Sequence, residues 1–109
     1  MIDRQLVEVF NKYVCHKVQQ ESRLINENNL LAALSVQQWF ETNEVKAAAI
    51  FRSIIQGHPF QDGNKRTAVL LIMYMCEPTC SEDTLFDTTI KVAEGRLKDP
   101  EEIANILYP

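Results

Sequence analysis

The chain has 109 residues, of which 46% are hydrophobic, and it contains only 3 Gly and 4 Pro. This length has room for one domain with one core, and the composition favours a compact helical protein over a disordered one. The net charge of -4 argues against a general nucleic-acid or membrane-surface binder, although a local basic pocket is compatible with it.

The N-terminus lacks the pattern of a signal peptide, because its first polar residues precede no unbroken apolar block. The most apolar run, residues 68–76, is far shorter than the roughly 20 residues that span a bilayer. The three cysteines form neither an even set nor a Cys-x-x-Cys pair, which predicts free thiols in a reducing compartment. We therefore expect a cytoplasmic protein with one domain, residues 1–109, and neither a nucleic-acid nor a membrane partner.

Apolar residues recur at helical spacing over about residues 3–20, which predicts a first amphipathic helix. A second helix is expected from about Leu30 into the region of Trp39 and Phe40. We expect both aromatic side chains to contact the core.

A third helix is predicted around residues 47–55 and ends at Gly57, so that it delivers His58 at its C-terminal end. The fourth begins near Asn64 or Lys65 and continues to about Cys76, and its apolar composition predicts the central, buried helix. These two helices should form a hairpin with the intervening loop at its tip.

The last third of the chain predicts two more helices. One covers about residues 84–94 and is closed by Gly95, although Thr88 and Thr89 weaken the helical preference there. The other has a clear start, with Asp99 as N-cap and Pro100 in the first turn, and runs to about Leu107. The predicted fold is all-α, a compact single-domain helical bundle.

The loop between helices three and four holds a base, a carboxylate, a glycine, an amide and two cations, namely His58, Asp62, Gly63, Asn64, Lys65 and Arg66. A loop that opens a helix offers unpaired amides to an anion, and a glycine lets successive amides curl into a nest for phosphate. Arginine can clamp two phosphate oxygens and lysine adds a point charge.

Asp62 would repel phosphate unless a cation lies between them, and Mg²⁺ prefers such hard oxygen ligands. A neutral imidazole at His58 can take a proton from an incoming hydroxyl at physiological pH. Together these side chains indicate phosphoryl or nucleotidyl transfer. The same Asp-Gly-Asn sequence is also an ordinary turn with a helix cap, in which Asp62 or Asn64 satisfies the first amides and both cations are solvated.

Residues 58–66 as a whole resemble the signature of the Fic/Doc family, H-x-F-x-D/E-G/A-N-G/K-R, and match each of its fixed positions. The resemblance implies a helical bundle of the Fic/Doc type in which His58 is the general base, Phe60 packs the loop into the core and Asp62 binds Mg²⁺. It also implies that Gly63, Asn64, Lys65 and Arg66 hold the phosphates of ATP.

Two positions separate branches of this family. Members that transfer AMP usually have Gly where Lys65 stands and a second Arg three residues after Arg66, where this chain has Val69. The chain is instead similar to the Doc (death on curing) toxin branch, whose type member phosphorylates a threonine of elongation factor Tu. The type member has Ala at the position of Gly63, which is a mild departure. This resemblance implies transfer of the γ-phosphate of ATP.

Many Fic proteins carry an inhibitory helix with the pattern S/T-x-x-x-E-G/N, and no segment here fits it. Glu94-Gly95 comes nearest, but Ile90 stands where Ser or Thr belongs. Inhibition by a partner such as a Phd-like antitoxin is therefore expected from the resemblance.

Three functions remain as hypotheses: a Doc-like protein kinase, an AMP transferase, and a catalytically silent interaction module that keeps the loop as a helix cap. The sequence does not name the target protein or give the oligomeric state.

Overall fold

The computed structural model describes residues 2–109. Six α-helices follow one another: α1 Arg4–Lys17, α2 Glu27–Ser35, α3 Asn43–Gly57, α4 Asn64–Met75, α5 Glu82–Ala93 and α6 Pro100–Leu107. A 3-10 helix, Val36–Trp39, continues from α2. The β-type pairing within residues 2–109 is one isolated antiparallel bridge between Leu24 and Phe60. The all-α prediction is confirmed.

Helix α3 is the centre of the bundle. It packs against α2, the 3-10 helix, α4, α5 and α6, and it buries Ala47, Ala48, Ala49, Ile50, Phe51, Ile54 and Ile55. Three consecutive alanines present little side chain, so neighbouring helices can approach α3 on several sides. The prediction that the apolar segment of α4 is the central helix is wrong. Helix α4 buries one face and leaves Met73 44% and Tyr74 65% exposed.

The observed helix bounds lie within a few residues of the predicted ones, and the differences have local causes. Helix α1 ends at Lys17 rather than near residue 20, because Gln19 adopts a left-handed φ of 57° that a helix cannot continue through. Helix α2 begins at Glu27, immediately after its cap Asn26, and gives way to the 3-10 turn. Trp39 ends that turn and is 78% exposed, so the prediction that it contacts the core is wrong.

The helix starts show how α4 differs from the others. Five helices begin at a residue whose side chain accepts a hydrogen bond from the first turn: Asp3, Asn26, Thr42, Ser81 and Asp99. Helix α4 begins after Gly63, which has no side chain to cap it. The first amides of α4 are therefore left without the usual covering side chain.

The packing fixes where the loop between α3 and α4 lies. These two helices form the predicted hairpin, and α1 packs against α4. Helices α5 and α6 pack against α3 and against each other, and α5 also contacts α4. Every helix within residues 2–109 falls short of the length and apolarity that a bilayer crossing requires.

Candidate active site

Residues 58–66, here called the active loop, turn sharply at two left-handed residues. His58 caps the C-terminus of α3 with φ 46° and ψ 57°, and its amide donates to the carbonyl of Ile54 at 3.2 Å. Gly63 has φ 78° and precedes the first residue of α4. Glycine takes this conformation without cost, whereas histidine adopts it rarely. A non-glycine residue held there is a feature found at functional sites.

The middle of the active loop is fixed to the core and to the segment before α2. Phe60 is 2% exposed and belongs to the hydrophobic core, as the resemblance implied. The carbonyl of Pro59 accepts from the amides of Ile25 and Asn26 at 2.8 and 3.0 Å, and the amide of Gln61 donates to Arg23 at 2.8 Å. These main-chain bonds hold the loop in place from one edge.

The side chain of Asn64 braces the loop from within. Its Oδ1 accepts from the Phe60 amide at 3.0 Å, and its Nδ2 donates to the Phe60 carbonyl at 2.8 Å and lies 3.3 Å from Nδ1 of His58. The alternative in which Asp62 or Asn64 caps α4 is wrong, because no side chain caps this helix. The Asn64 side chain is buried and fully paired, so its backbone amide is the group it can still offer to a phosphate.

An open cavity of about 440 Å³ lies at the start of α4 and is lined by Gln20, His58, Gln61, Asp62, Gly63, Asn64, Lys65 and Arg66. All six residues predicted for the site therefore line the same cavity. His58, Lys65 and Arg66 are exposed, and Asp62 is half-buried. The guanidinium of Arg66 donates to the side-chain carbonyl of Gln20, a residue outside the loop that no sequence motif connects with it.

The carboxylate of Asp62 is free for an added cation. It forms none of the ion pairs between residues 2–109, although Lys65 and Arg66 line the same cavity. The described residues contain no cluster of three or more His, Cys, Asp or Glu side chains suited to a metal. A metal ion here would have one protein carboxylate and would take its other ligands from phosphate and water, which is how Mg²⁺ commonly binds.

Helix α1 forms the floor beneath the loop through Asn11 and Cys15, neither of which sequence reasoning selected. The Asn11 amide group donates to the Asp62 carbonyl at 2.9 Å and to the Thr67 hydroxyl at 3.1 Å. The Cys15 thiol lies 3.5 Å from the same Asp62 carbonyl. Burial raises the pKa of the Cys15 thiol; the Arg66 charge opposes this rise and the Asp62 charge adds to it.

A signal for Asn11 was present in the sequence. Val7, Asn11 and Cys15 are spaced four residues apart, so they lie on one face of α1, and all three are fully buried. A polar residue in the middle of a buried helical face needs hydrogen-bond partners, and here they come from the active loop, from Thr67 of α4 and from Ser22.

A second, larger groove adjoins the cavity. It has a volume of about 630 Å³ and runs between α1, α4 and α5, with a lining that is mostly apolar: Tyr13, Val14, Lys17, Val18, Lys65, Arg66, Val69, Leu70, Met73, Glu82, Leu85, Phe86, Thr89 and Ile90. Lys65 and Arg66 border both spaces. We call this second space the apolar groove. Val69, at the position where AMP-transferring members have an Arg, lines the apolar groove rather than the cavity.

Comparison with known proteins identifies a family for the chain. No curated protein matches the chain significantly. The model of the Fic/DOC family matches residues 5–76, which is more than half of the chain and includes α1, the active loop and α4. The chain therefore belongs to the Fic/DOC family, whose members are in general transferases that modify proteins.

Proposed function

We propose that the chain is a Doc-like protein kinase, which uses ATP and Mg²⁺ to phosphorylate a serine or threonine hydroxyl on a translation factor such as elongation factor Tu. The observation that carries the proposal is the single cavity bordered by His58, Asp62, Lys65 and Arg66. It combines a base, a cation ligand and two positive charges around uncapped helix amides, which is what phosphoryl transfer requires of a protein.

ATP with Mg²⁺ fits the residues present. Lys65 and Arg66 would bind phosphate oxygens, and Asp62 would hold the metal. The backbone amides of residues 63–65 would donate hydrogen bonds to a phosphate group. When bound, Mg²⁺ would neutralise negative charge on the phosphates. The protein's own part is to place the hydroxyl, the base and the phosphate in line and to stabilise the charge that develops.

His58 is suited to receive the proton of the attacking hydroxyl, because it is exposed at the edge of the cavity and its backbone is fixed. Its contact with Asn64 sets a condition on that step. If Asn64 donates to Nδ1, the neutral ring carries its proton on Nε2 and cannot accept another there. Base chemistry through Nε2 requires the tautomer with hydrogen on Nδ1, so the 3.3 Å contact must lengthen or be replaced in the reactive state.

Transfer of phosphate rather than AMP is supported by two side chains. Lys65 adds a charge beside Arg66, and the half-buried Val69 offers no charge to a second phosphate. When a positively charged side chain contacts a different phosphate of ATP, a different phosphorus atom faces the attacking hydroxyl. AMP transfer by the same loop is the second candidate; Gly63, where the type Doc protein has Ala, slightly weakens the kinase assignment but does not restore the missing Arg.

Intact mass spectrometry of elongation factor Tu tests the proposal. The factor is incubated with the chain, ATP and Mg²⁺, and in parallel with the His58→Ala variant. A gain of one phosphate that the variant cannot produce is the expected result. A gain of one AMP would establish the second candidate. An unmodified factor, together with unmodified proteins in a bacterial extract, would favour the silent interaction module.

We further propose that a Phd-like antitoxin inhibits the chain through the apolar groove. An amphipathic helix of the antitoxin would lay its apolar face on Val69, Met73 and Phe86, and its carboxylates would meet Lys65 and Arg66 at the edge of the cavity. Charge supports this occupant, because three cations and one carboxylate line the groove. Met73 and Phe86 are 44% and 71% exposed, which is the state of an uncovered contact surface.

Co-expression with each small protein encoded by a gene adjacent to that of the chain tests this partner. We expect a stoichiometric complex and relief of growth arrest. Phe86→Glu should abolish both and leave phosphorylation by the free chain unchanged. Growth arrest that persists in the presence of every neighbouring protein would contradict it.

A further inference from the structure

We infer that Asn11 is a positioning residue that sets the orientation of the peptide between Asp62 and Gly63, so that the Gly63 amide faces the nucleotide cavity. The inference deepens the proposed function and rests on it for the identity of the ligand. The orientation itself is a property of the free chain.

Both polar atoms of the Asn11 side chain are hydrogen-bonded. Its Nδ2 donates to the Asp62 carbonyl at 2.9 Å and to the Thr67 hydroxyl at 3.1 Å. Its Oδ1 accepts from the Ser22 hydroxyl at 2.7 Å. The side chain is fully buried. Exchanging its oxygen and nitrogen would set Oδ1 against the Asp62 carbonyl oxygen, so the amide has one orientation available to it.

The peptide geometry turns this contact into a statement about the cavity. No peptide bond within residues 2–109 is cis, and in a trans peptide the carbonyl and the following amide point in opposite directions. Asn11 and Cys15 hold the Asp62 carbonyl against α1, so the Gly63 amide points away from α1. The cavity lies on that other side, since no residue of α1 lines it. Neither the main chain nor a side-chain cap within residues 2–109 occupies that amide.

The close approach of the loop to α1 makes the orientation specific. A Cβ added at Gly63 would lie 2.9 Å from the Cys15 Sγ and 3.3 Å from the Asn11 Nδ2. The loop therefore sits directly on Asn11 with no room for a bridging water. Without the Asn11 donor, the Asp62 carbonyl would keep only the thiol contact of Cys15, a weak donor, and rotating the peptide toward solvent would exchange that contact for hydrogen bonds to water. Such a rotation would present an oxygen, rather than an amide, to a phosphate.

The test compares Asn11→Ala with Val7→Ala, a matched substitution one turn earlier on the same buried face of α1, where the side chain can form no hydrogen bond to the loop. For each protein we would determine the dissociation constant for Mg·ATP by calorimetry, the thermal midpoint and a crystal structure without ligand. We expect Asn11→Ala to weaken Mg·ATP binding roughly tenfold and to rotate the Asp62–Gly63 peptide. Val7→Ala should lower the thermal midpoint and leave the affinity and the peptide unchanged.

Unchanged affinity and an unrotated peptide in Asn11→Ala would overturn the inference, as would an equal loss of affinity in Val7→Ala. If Asn11→Ala fails to fold, Ser22→Ala is the deciding variant, because it removes one hydrogen-bond partner of Asn11. We expect Ser22→Ala to weaken Mg·ATP binding about threefold. Wild-type affinity in Ser22→Ala would overturn the inference. Should the wild-type chain bind no Mg·ATP, the proposed function fails, and the unliganded structure of Asn11→Ala still decides whether Asn11 orients the peptide.

Discussion

The active loop and the apolar groove lie side by side at α4 and are built in opposite ways. In the loop, the buried polar groups of Asn11 and Asn64 are fully paired, and two left-handed residues fix the turns. In the groove, Met73 and Phe86 expose large apolar surfaces to solvent. The loop has the contacts it needs within the chain, whereas the groove is stabilised only when something covers it.

This difference separates two roles. A loop held by its own hydrogen bonds is preorganised for chemistry, because little rearrangement is needed when a ligand binds. An exposed apolar surface next to it costs free energy in the isolated chain and returns it on binding a partner. Since Lys65 and Arg66 border both regions, a partner in the groove can reach the charges that would hold a nucleotide.

The largest effect should come from His58→Ala, which removes the only imidazole in the loop, the proposed general base. We expect transfer to fall by a factor of about 10² to 10⁴, with thermal stability unchanged because the side chain is exposed. His16→Ala is the control, since the second histidine is exposed near the end of α1. The measurement is the initial rate of substrate modification. Retained activity in His58→Ala would break the link between the loop and catalysis.

Gly63→Ala should destabilise the fold strongly, although it adds only one methyl group. It places a Cβ 2.9 Å from the Cys15 Sγ in a backbone with φ 78°, and we expect a loss of about 2 to 3 kcal/mol in the free energy of unfolding. Gly95→Ala is the matched control, with φ 76° and open space around the added atom, and should cost about 1 kcal/mol. Chemical denaturation measures both.

The double substitution Cys15→Ala with Gly63→Ala should recover part of that loss, because it removes the nearest clashing atom. Additive effects would mean that the backbone conformation alone, and not the packing on α1, requires glycine at this position.

On α4, Leu71→Ala and Met73→Ala should differ widely although both shorten an apolar side chain. Leu71 is fully buried and its truncation should cost about 2 to 5 kcal/mol, whereas Met73 is 44% exposed and should cost about 0.5 kcal/mol or less. Denaturation midpoints measure the difference. A large loss in the free energy of unfolding of Met73→Ala would show that the groove stabilises the free chain. It would then weaken the contrast between the groove and the loop.

The smallest effect concerns pH and the floor of the loop. Burial raises the pKa of the Cys15 thiol above its unfolded value, so its contribution to stability is complete at neutral pH and is lost as pH rises above about 8.5. We expect stability to fall less steeply between pH 8 and 10 in Cys15→Ala than in the wild type. Parallel curves would show that this thiol ionises equally easily in both states.

Local sequence rules were sufficient to predict helix ends and the hairpin between α3 and α4. The cap at Asp99, the stop at Gly57 and the hairpin that presents His58 follow from residue types and spacing, and the structure contains them. The family match over residues 5–76 agrees with the motif on which the resemblance rested. The roles of the individual loop residues in catalysis and binding stay predictions.

Features that depend on tertiary packing were not readable. Helix α4 is as apolar as a central helix, but the packing of α2, α5 and α6 around the small residues of α3 leaves one face of α4 open. Trp39 was assigned to the core on composition alone, and no element covers it. Asn11 acts across 51 positions of sequence on Asp62, and only the fold brings the two together.

The most direct test of the central claim is transfer of radiolabel from ATP. Protein extracts are incubated with the chain, Mg²⁺ and ATP labelled at either the γ- or the α-phosphorus, beside the His58→Ala variant. Label on a protein from γ-labelled ATP alone, absent with the variant, is the result we expect from a Doc-like kinase. Label from α-labelled ATP would show AMP transfer and would contradict the nucleotide orientation inferred from Lys65 and Val69.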